Sequence, residues 1–384
     1  MQYDVIIIGG GIHGLMTAYY LSQEPNIKVA ILEQYSIGNV LGSSHGASRI
    51  IRATYVQKVY RNLMSQVYQQ YLPKLEKDLG VQLLYHNPGI FFGDGKLFQD
   101  YVDGIADSNL PIKLLSTEQA MSLFPQFKLQ KATSVVYDQT GGVMAADVCI
   151  NTLKRKLIQN GVTILEGTKV TEINRDKELI EIVTQTRRFF AHKVVVTAGK
   201  QVSELISTMK NVLDVIEQVV MYVKFKDSLE QYMLSRFPQF ASIHDQVNEI
   251  YYGMSELFSN GIVKISQHVS QTDFDDTMES QEDVIALRIE KLTNFIDTTF
   301  VASIDKVIGV EKCFYTNTPD ENFIVDLLPD DSRIVVGSIC SGHGFKFAPL
   351  TGKILAELAL HEKTTNTEFE KNRVMFSISR YLNR

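Results

Sequence analysis

Three cysteines in 384 residues are too few for a disulfide framework, and a reducing compartment is the matching expectation. Prolines are equally scarce, 9 in all and scattered singly, which excludes a proline-rich or collagen-like chain. No charge is in excess: 38 basic residues stand against 44 acidic, a net charge of -6, without long runs of either sign. An electrostatic nucleic-acid binder would show a basic excess or a clustered patch, so no nucleic-acid partner is expected. Long apolar runs are missing too. The longest near the start, Val5 to Ile8, is followed at once by three glycines; it falls far short of a membrane span, and no positively charged segment precedes it. No C-x-x-C or H-E-x-x-H pattern offers a metal site, and no repeat or low-complexity segment is visible. These absences leave a soluble, cytoplasmic protein with no metal or membrane partner. It has 45% hydrophobic residues and exceeds the length at which one core stops growing, so two domains are expected.

The chain opens as strand, turn, helix, strand. Val5-Ile6-Ile7-Ile8 is β-branched without polar alternation, the mark of a strand buried on both faces. Gly9 to Gly14 form the turn, Leu15 to Ser22 a helix and Ile27 to Leu32 the next strand, which together open a βαβ unit. A helical period from Tyr55 to about Leu72 puts Tyr60, Leu63, Met64, Val67, Tyr68 and Tyr71 on one face. Ser116 to Gln119 reads as a capping box before a short helix that ends by Pro125. Asp147 to Gln159 is amphipathic and is stopped at Gly161, after which Val162 to Leu165 and later Lys193 to Thr197 read as strands. Residues 213 to 270 alternate and carry aromatics, as in a partly antiparallel sheet. After Ile334 to Val336 a glycine-rich turn leads into a helix from about Leu350 to Leu360. The expected fold is α/β: a Rossmann-type nucleotide-binding domain, with a second domain on a mixed, largely antiparallel sheet. The nucleotide-type signals place the first domain at 1–82, 145–205 and 320–384, and the second at 83–144 and 206–319.

Gly9-Gly10-Gly11-Ile12-His13-Gly14 fits G-x-G-x-x-G. Gly9 allows the tight turn, Gly11 lets a pyrophosphate approach the backbone, and Gly14 lets helix and strand pack closely. Glu33, at the end of the next strand, suits a ribose 2′-hydroxyl and repels a 2′-phosphate. The motif implies a dinucleotide but does not separate FAD from NAD. Gly42-Ser43-Ser44-His45-Gly46 also satisfies the hydrolase pattern G-x-S-x-G, yet no buried strand precedes it, as a nucleophile elbow requires. Next comes Arg49-Ile50-Ile51-Arg52. Its two arginines, three apart, would share one helical face and form an anion site for phosphate or carboxylate.

These segments resemble the monomeric sarcosine oxidase and N-methyltryptophan oxidase family. The resemblance rests on Gly42 to Arg52, Ile250-Tyr251-Tyr252-Gly253 with Lys264, Lys312 to Glu321, and Ser341-Gly342-His343-Gly344-Phe345-Lys346-Phe347, in order along nearly the whole chain. It implies an FAD enzyme that oxidises a secondary amine of an amino acid, reduces oxygen to hydrogen peroxide and works as a monomer. It further implies a thioether between Cys313 and the flavin, whose formation needs a thiolate and nearby cations. Cys149 and Cys340 read as inert small hydrophobes. By resemblance, Lys264 lies above the flavin as a fixed cation for oxygen reduction. Arg52 and Lys346 hold the substrate carboxylate, and Tyr315, Tyr252 and His268 line the pocket. His45 and Arg49 lie against the flavin together with Ser44 and Ser48. The backbone from Gly342 to Phe345 meets the pyrimidine end of the ring. Val170, Thr197, Ala198 and Gly199 face the adenosine half.

The chain departs from the family where Ser44 replaces a histidine, where Ser48 replaces a threonine, and at Lys200-Gln201, where a tryptophan is usual. Phe240-Ala241-Ser242, at the pocket entry, does not align cleanly, which leaves the identity of the amine open. Rival readings are an NAD-linked dehydrogenase, a serine hydrolase on Ser44, a non-catalytic flavin-binding protein and a flavin dehydrogenase that passes electrons to a carrier. No residue stands out as an essential general base.

Overall fold

The computed structural model describes residues 1–106, 110–244, 249–269 and 281–382; within the stretch expected to form the second sheet, residues 245–248 and 270 lie outside the described residues. The first strand, Gln2–Ile8, shows why its sequence does not alternate. Val5 and Ile7 enter one hydrophobic core while Ile6 and Ile8 enter another, so both faces are covered. It lies between Arg188–Val196 and Val29–Leu32, parallel to both. Thr163–Leu165 extends the parallel set beyond Val29–Leu32, and Asp331–Ser338 extends it beyond Arg188–Val196. The antiparallel strands Val170–Asn174, Ile180–Thr184 and Ile324–Leu328 complete this eight-stranded sheet. Its first helix spans Ile12–Leu21, starting one turn earlier than the apolar period suggests. It is tied to the helix Ala348–His361 by two hydrogen bonds. Tyr20 donates its hydroxyl to the Pro349 carbonyl at 2.7 Å, and the His13 ring lies 3.0 Å from Thr351 Oγ1.

The expected helix from Tyr55 to Leu72 begins instead at Lys58. It runs past Leu72 through a π-turn at Val67–Tyr71 and continues to Leu79. Pro73 follows directly on the π-turn, where the hydrogen-bond ladder is already irregular, so its missing N–H does not end the helix. The arginine pair needs a larger correction. Ser48–Ile51 is a strand, paired with Gly142–Ala145, so Arg49 and Arg52 do not share a helical face.

A second eight-stranded sheet runs in the order Ile304–Asn317, Asp214–Phe225, Val263–His268, Glu249–Ser255, Gln239–His244, Gly89–Asp94, Ser134–Asp138, Ile112–Leu115. Its described pairs are antiparallel except Gln239–His244 with Gly89–Asp94. Strand period two divides it into two chemically different faces. Val219, Met221, Val223, Tyr251, Val263 and Ile265 pack against Leu292, Phe295 and Ile296 of the helix Gln281–Thr299. The residues between them form the other face, which covers a cavity. Among the described residues, no helix is long and apolar enough to cross a membrane.

Candidate active site

The cavity has a volume of about 550 Å³ and runs from the glycine turn to the roof of the second sheet. At its first end Gly9 has φ +106, a backbone that disfavours a side chain, and a Cβ there would strike the Thr197 carbonyl. Gly9 and Gly11 line the cavity; Gly14 lies behind it, where a Cβ would strike the Gly9 carbonyl, so its task is close packing. Glu33 ends its strand as expected and is 8% exposed. Its two carboxylate oxygens accept from the amides of Gly10 at 2.7 Å and Tyr35 at 2.9 Å, which fixes the side chain at the rim of the turn. Val170 and Gly199 line the same end, beside Thr197 and Ala198.

Ser44 is no hydrolase nucleophile. Its hydroxyl accepts from the Ile12 amide at 3.1 Å and so caps the first helix, while the His45 ring is bonded to the Gly42 carbonyl at 2.8 Å. Burial holds His45 below its ordinary pKa, an effect the Gly42 bond opposes and the Arg49 charge reinforces. Arg49 binds the loop from within, donating to the carbonyls of Ser48 at 2.8 Å, Ser43 at 3.1 Å and His45. Its guanidinium also lies 5.5 Å from the centre of the Phe345 ring.

The roof is the second face of the sheet. Along Val263–His268 the alternate residues Lys264, Ser266 and His268 point to one side. Lys264 pairs with Tyr222 and Met254, Ser266 with Val220 and Tyr252, and His268 with Ile250, which pairs in turn with Ile243. The edge strand adds Glu311, Cys313 and Tyr315 by the same alternation. Lys264 is 8% exposed, and its amine donates to the Ser48 carbonyl at 3.3 Å and stands 5.6 Å over the Tyr222 ring. Burial, reinforced by Arg49, pulls its pKa from 10.5 down to about 8. It is therefore a buried cation inside the cavity, not an outward-facing strand lysine. Burial pushes the Cys313 thiol up, while Arg49 and Lys264 pull it back toward the thiolate. The hydroxyls of Tyr252 and Tyr315 meet at 2.8 Å, and burial keeps both phenols protonated.

Two more cations close the far end. The Arg52 guanidinium lies over Tyr55 at 4.4 Å, Phe91 at 5.2 Å and Tyr101 at 5.9 Å, and its buried Nη1 has no hydrogen-bond partner. Burial opposes its charge, but Tyr101, Tyr55 and Asp138 outweigh that and hold its pKa above the ordinary value. Lys346 is 6% exposed in a short turn, Phe345–Phe347, just before the helix Ala348–His361. Burial and the Arg52 charge hold it well below the usual lysine range. Ser341 and Gly342 both have positive φ, and Gly342, His343, Gly344 and Phe345 line the cavity beside Lys346.

The sequence pattern of the FAD dependent oxidoreductase family matches residues 4–358. The chain belongs to this family. Peroxisomal sarcosine oxidase of Homo sapiens is 31% identical over 365 residues, covering 93% of this chain and 92% of that protein. Monomeric sarcosine oxidase of Arthrobacter sp. (strain TE1826) is 26% identical, covering 99% of this chain and 96% of that protein. NikD, an unusual amino acid oxidase essential for nikkomycin biosynthesis, has the same fold in its open form, with a TM-score of 0.80 at 19% identity over 98% of this chain and 97% of that one. The chain is thus an FAD-dependent oxidoreductase of the sarcosine oxidase type. The residues present fit FAD: a pinned carboxylate at the end of the second strand, a side-chain-free path over the glycines, and a thiol drawn toward its thiolate by Arg49 and Lys264.

Sequence reasoning missed several residues of this FAD-dependent oxidoreductase. Tyr55 looked like the start of a helix, and nothing in the sequence marked Phe91 or Tyr101 as partners of Arg52. Glu311 had a readable signal, since it stands two positions before Cys313 on a strand and must share its face.

Proposed function

We propose that this protein oxidises a secondary amino acid, such as sarcosine or another N-methyl amino acid, and uses oxygen as its acceptor. The observation that carries this reading is the pair Arg52 and Lys346. Two neighbouring cations share an enclosed corner of the cavity, and one guanidinium nitrogen there is buried without a partner. A carboxylate entering between them pairs with both cations and relieves their like-charge repulsion. The two cations would also lower the pKa of a nearby amine, leaving more of it in the neutral, oxidisable form without a dedicated base. Tyr252, Tyr315 and His268 would orient the amine. Ile243 and Ile250 beyond them favour an apolar substituent over a charged one.

FAD, when bound, would supply a two-electron acceptor for the hydride on the carbon beside nitrogen and a donor of those electrons to oxygen. Lys264 would hold a fixed positive charge where negative charge develops on oxygen. The imine product hydrolyses in water. We further propose that Cys313 forms the covalent thioether, with Arg49 and Lys264 favouring its thiolate and His45 adjoining; the C–S bond would replace a C–H bond of the flavin 8α-methyl, the proton leaving to solvent and the two electrons passing through the flavin to oxygen. Glu33, Gly9, Gly11, Ser44, Ser48, Val170 and Gly199 would hold the dinucleotide. The segments 1–82, 145–205 and 320–384 would form the FAD-binding domain and the remainder the substrate domain, a division supported by the strand membership of the two large sheets. The protein would work as a monomer in the reducing cytoplasm.

The test is anaerobic mixing of the yellow protein with a panel of secondary amino acids and the matching amines that lack a carboxylate. The oxidised-flavin band should bleach with the amino acids and hardly with the simple amines. Arg52→Ala should weaken amino-acid binding at least about tenfold, the scale of one charge-assisted hydrogen bond. Equal bleaching by both classes in the wild type would refute the reading.

A further inference from the structure

We infer that Tyr55 and His343 act as a positioning couple that aims Lys346 at the substrate carboxylate. The inference rests on the proposed reading of Arg52 and Lys346 as the carboxylate site. It follows from the direction in which each hydrogen bond must run.

In the charged state that a bound carboxylate favours, the Lys346 ammonium has three N–H groups and no lone pair. One donates to the Tyr55 hydroxyl oxygen at 3.0 Å and a second to the His343 carbonyl at 2.8 Å, which leaves the third. The His343 ring has a polar partner on each side. Nε2 lies 3.2 Å from the Glu321 carbonyl, and Nδ1 lies 3.2 Å from the Tyr55 hydroxyl. A carbonyl can only accept, so the Nε2 position carries the hydrogen. Burial and the neighbouring Lys346 charge hold the ring well below its ordinary pKa, so it carries a single proton and Nδ1 is bare. Tyr55 must therefore donate its one phenolic proton to His343, and its oxygen turns lone pairs toward Lys346.

Packing makes this polarity durable. The His343 ring lies against Phe323 with centroids 4.4 Å apart and planes 26° apart, which hinders a flip to the other tautomer's geometry. Tyr55 is buried, with Arg52 4.4 Å from its ring centre and Lys346 at its hydroxyl. One phenol thus separates two like charges and binds each through a different part of itself, the π face for the guanidinium and the oxygen for the ammonium. What remains uncommitted is one ammonium N–H beside the Arg52 guanidinium, the two groups that a carboxylate takes. The turn carrying His343 is joined through Glu321 to His268, since Glu321 Oε1 lies 3.4 Å from His268 Nε2. The couple therefore also ties the carboxylate end of the pocket to the amine end.

The experiment measures acetate binding to the flavin-loaded protein by calorimetry, alongside KM and kcat for the best amino-acid substrate. Tyr55→Phe, His343→Leu, their double variant and Lys346→Met are compared with wild type. Tyr55→Phe should weaken acetate binding about tenfold, the loss expected when one charge-assisted hydrogen bond is misdirected. KM should rise by a similar factor while kcat moves less than about twofold on the same scale. If His343 acts through Tyr55, the double variant should bind acetate no more weakly than Tyr55→Phe alone. Losses that multiply would overturn the couple, as would normal acetate binding by Tyr55→Phe in a protein where Lys346→Met has lost it. Should His343→Leu fail to fold, Tyr55→Phe against Lys346→Met still decides. Normal acetate binding by Lys346→Met would instead bring down the carboxylate-site reading itself, and this inference with it.

Discussion

Replacing Lys264 by methionine should make the protein more stable and its reaction with oxygen slower. Methionine matches most of the lysine stem, so the change removes a charge and little volume. The amine titrates at 10.5 in an ordinary setting and at about 8 in the fold. Above pH 10.5 it is neutral in both states and costs nothing. As the pH falls from 10.5 toward 8, the unfolded chain gains a proton that the folded protein resists, and below 8 the full penalty applies. That difference corresponds to about 3 kcal/mol at pH 7 and to about 1 kcal/mol at pH 9.5. Losing the 3.3 Å bond to the Ser48 carbonyl offsets about 1 kcal/mol. The variant should therefore gain about 2 kcal/mol at pH 7, and the gain should shrink steadily toward pH 9.5. Urea unfolding of the flavin-loaded protein at both values reads this directly. Stopped-flow on the same samples should show anaerobic reduction by substrate little changed and reoxidation by oxygen slower by about two decades, the cost of one well-placed electrostatic group. A methionine variant that is less stable at pH 7, or two half-reactions slowed equally, would refute the assignment of Lys264 as an uncompensated charge kept for the oxygen step.

Acid-precipitated wild-type protein should stay yellow and exceed its sequence mass by one FAD, whereas Cys313→Ser should release its colour into the supernatant; full release by the wild type would end the thioether proposal. Ser44→Ala should lower stability by about 1 kcal/mol in urea unfolding, as expected for a lost helix cap; measurable esterase activity in the wild type that vanishes in this variant would contradict the capping role.

The glycine turn, the strands around it and Glu33 were legible because their local chemistry allows few alternatives. A run such as Val5 to Ile8 must be covered on both sides, and Gly9 occupies a backbone position that excludes a side chain. The arginine pair was misread because a spacing of three fits a helix, while the β-branched Ile50 and Ile51 between them fit a strand. Pairing of Ser48–Ile51 with Gly142–Ala145 settled the matter through contacts far away in sequence. The helix was expected to end at about Leu72, where the apolar period stops, yet it passes through a π-turn at Val67–Tyr71 and continues beyond Pro73 to Leu79. Lys264 within Ile262-Val263-Lys264-Ile265 is compatible with either strand face, and only the register against Tyr222 and Met254 decides which. Tyr55 carried no signal, because its importance comes from Arg52, His343 and Lys346 converging on one hydroxylated ring from three segments.

The alternation that builds the roof also limits how such a protein can change. Lys264, Ser266 and His268 share a side with Tyr252, Cys313 and Tyr315 only while each strand keeps its parity. Slipping Val263–His268 by one residue against its neighbours would turn Val263, Ile265 and Gln267 toward the cavity and press the lysine and histidine into the apolar layer against Phe295 and Ile296. New substrate preferences can therefore arise by exchanging side chains at fixed positions such as Ile243 or Ile250, or by lengthening the loops between strands. Single-residue bulges do occur in this sheet, but at Tyr222/Val223 and Lys224/Phe225, beyond the pairs that carry Ser266, Cys313 and Tyr315, so the stretches that carry the roof residues should vary less in length among functional descendants than in side chains.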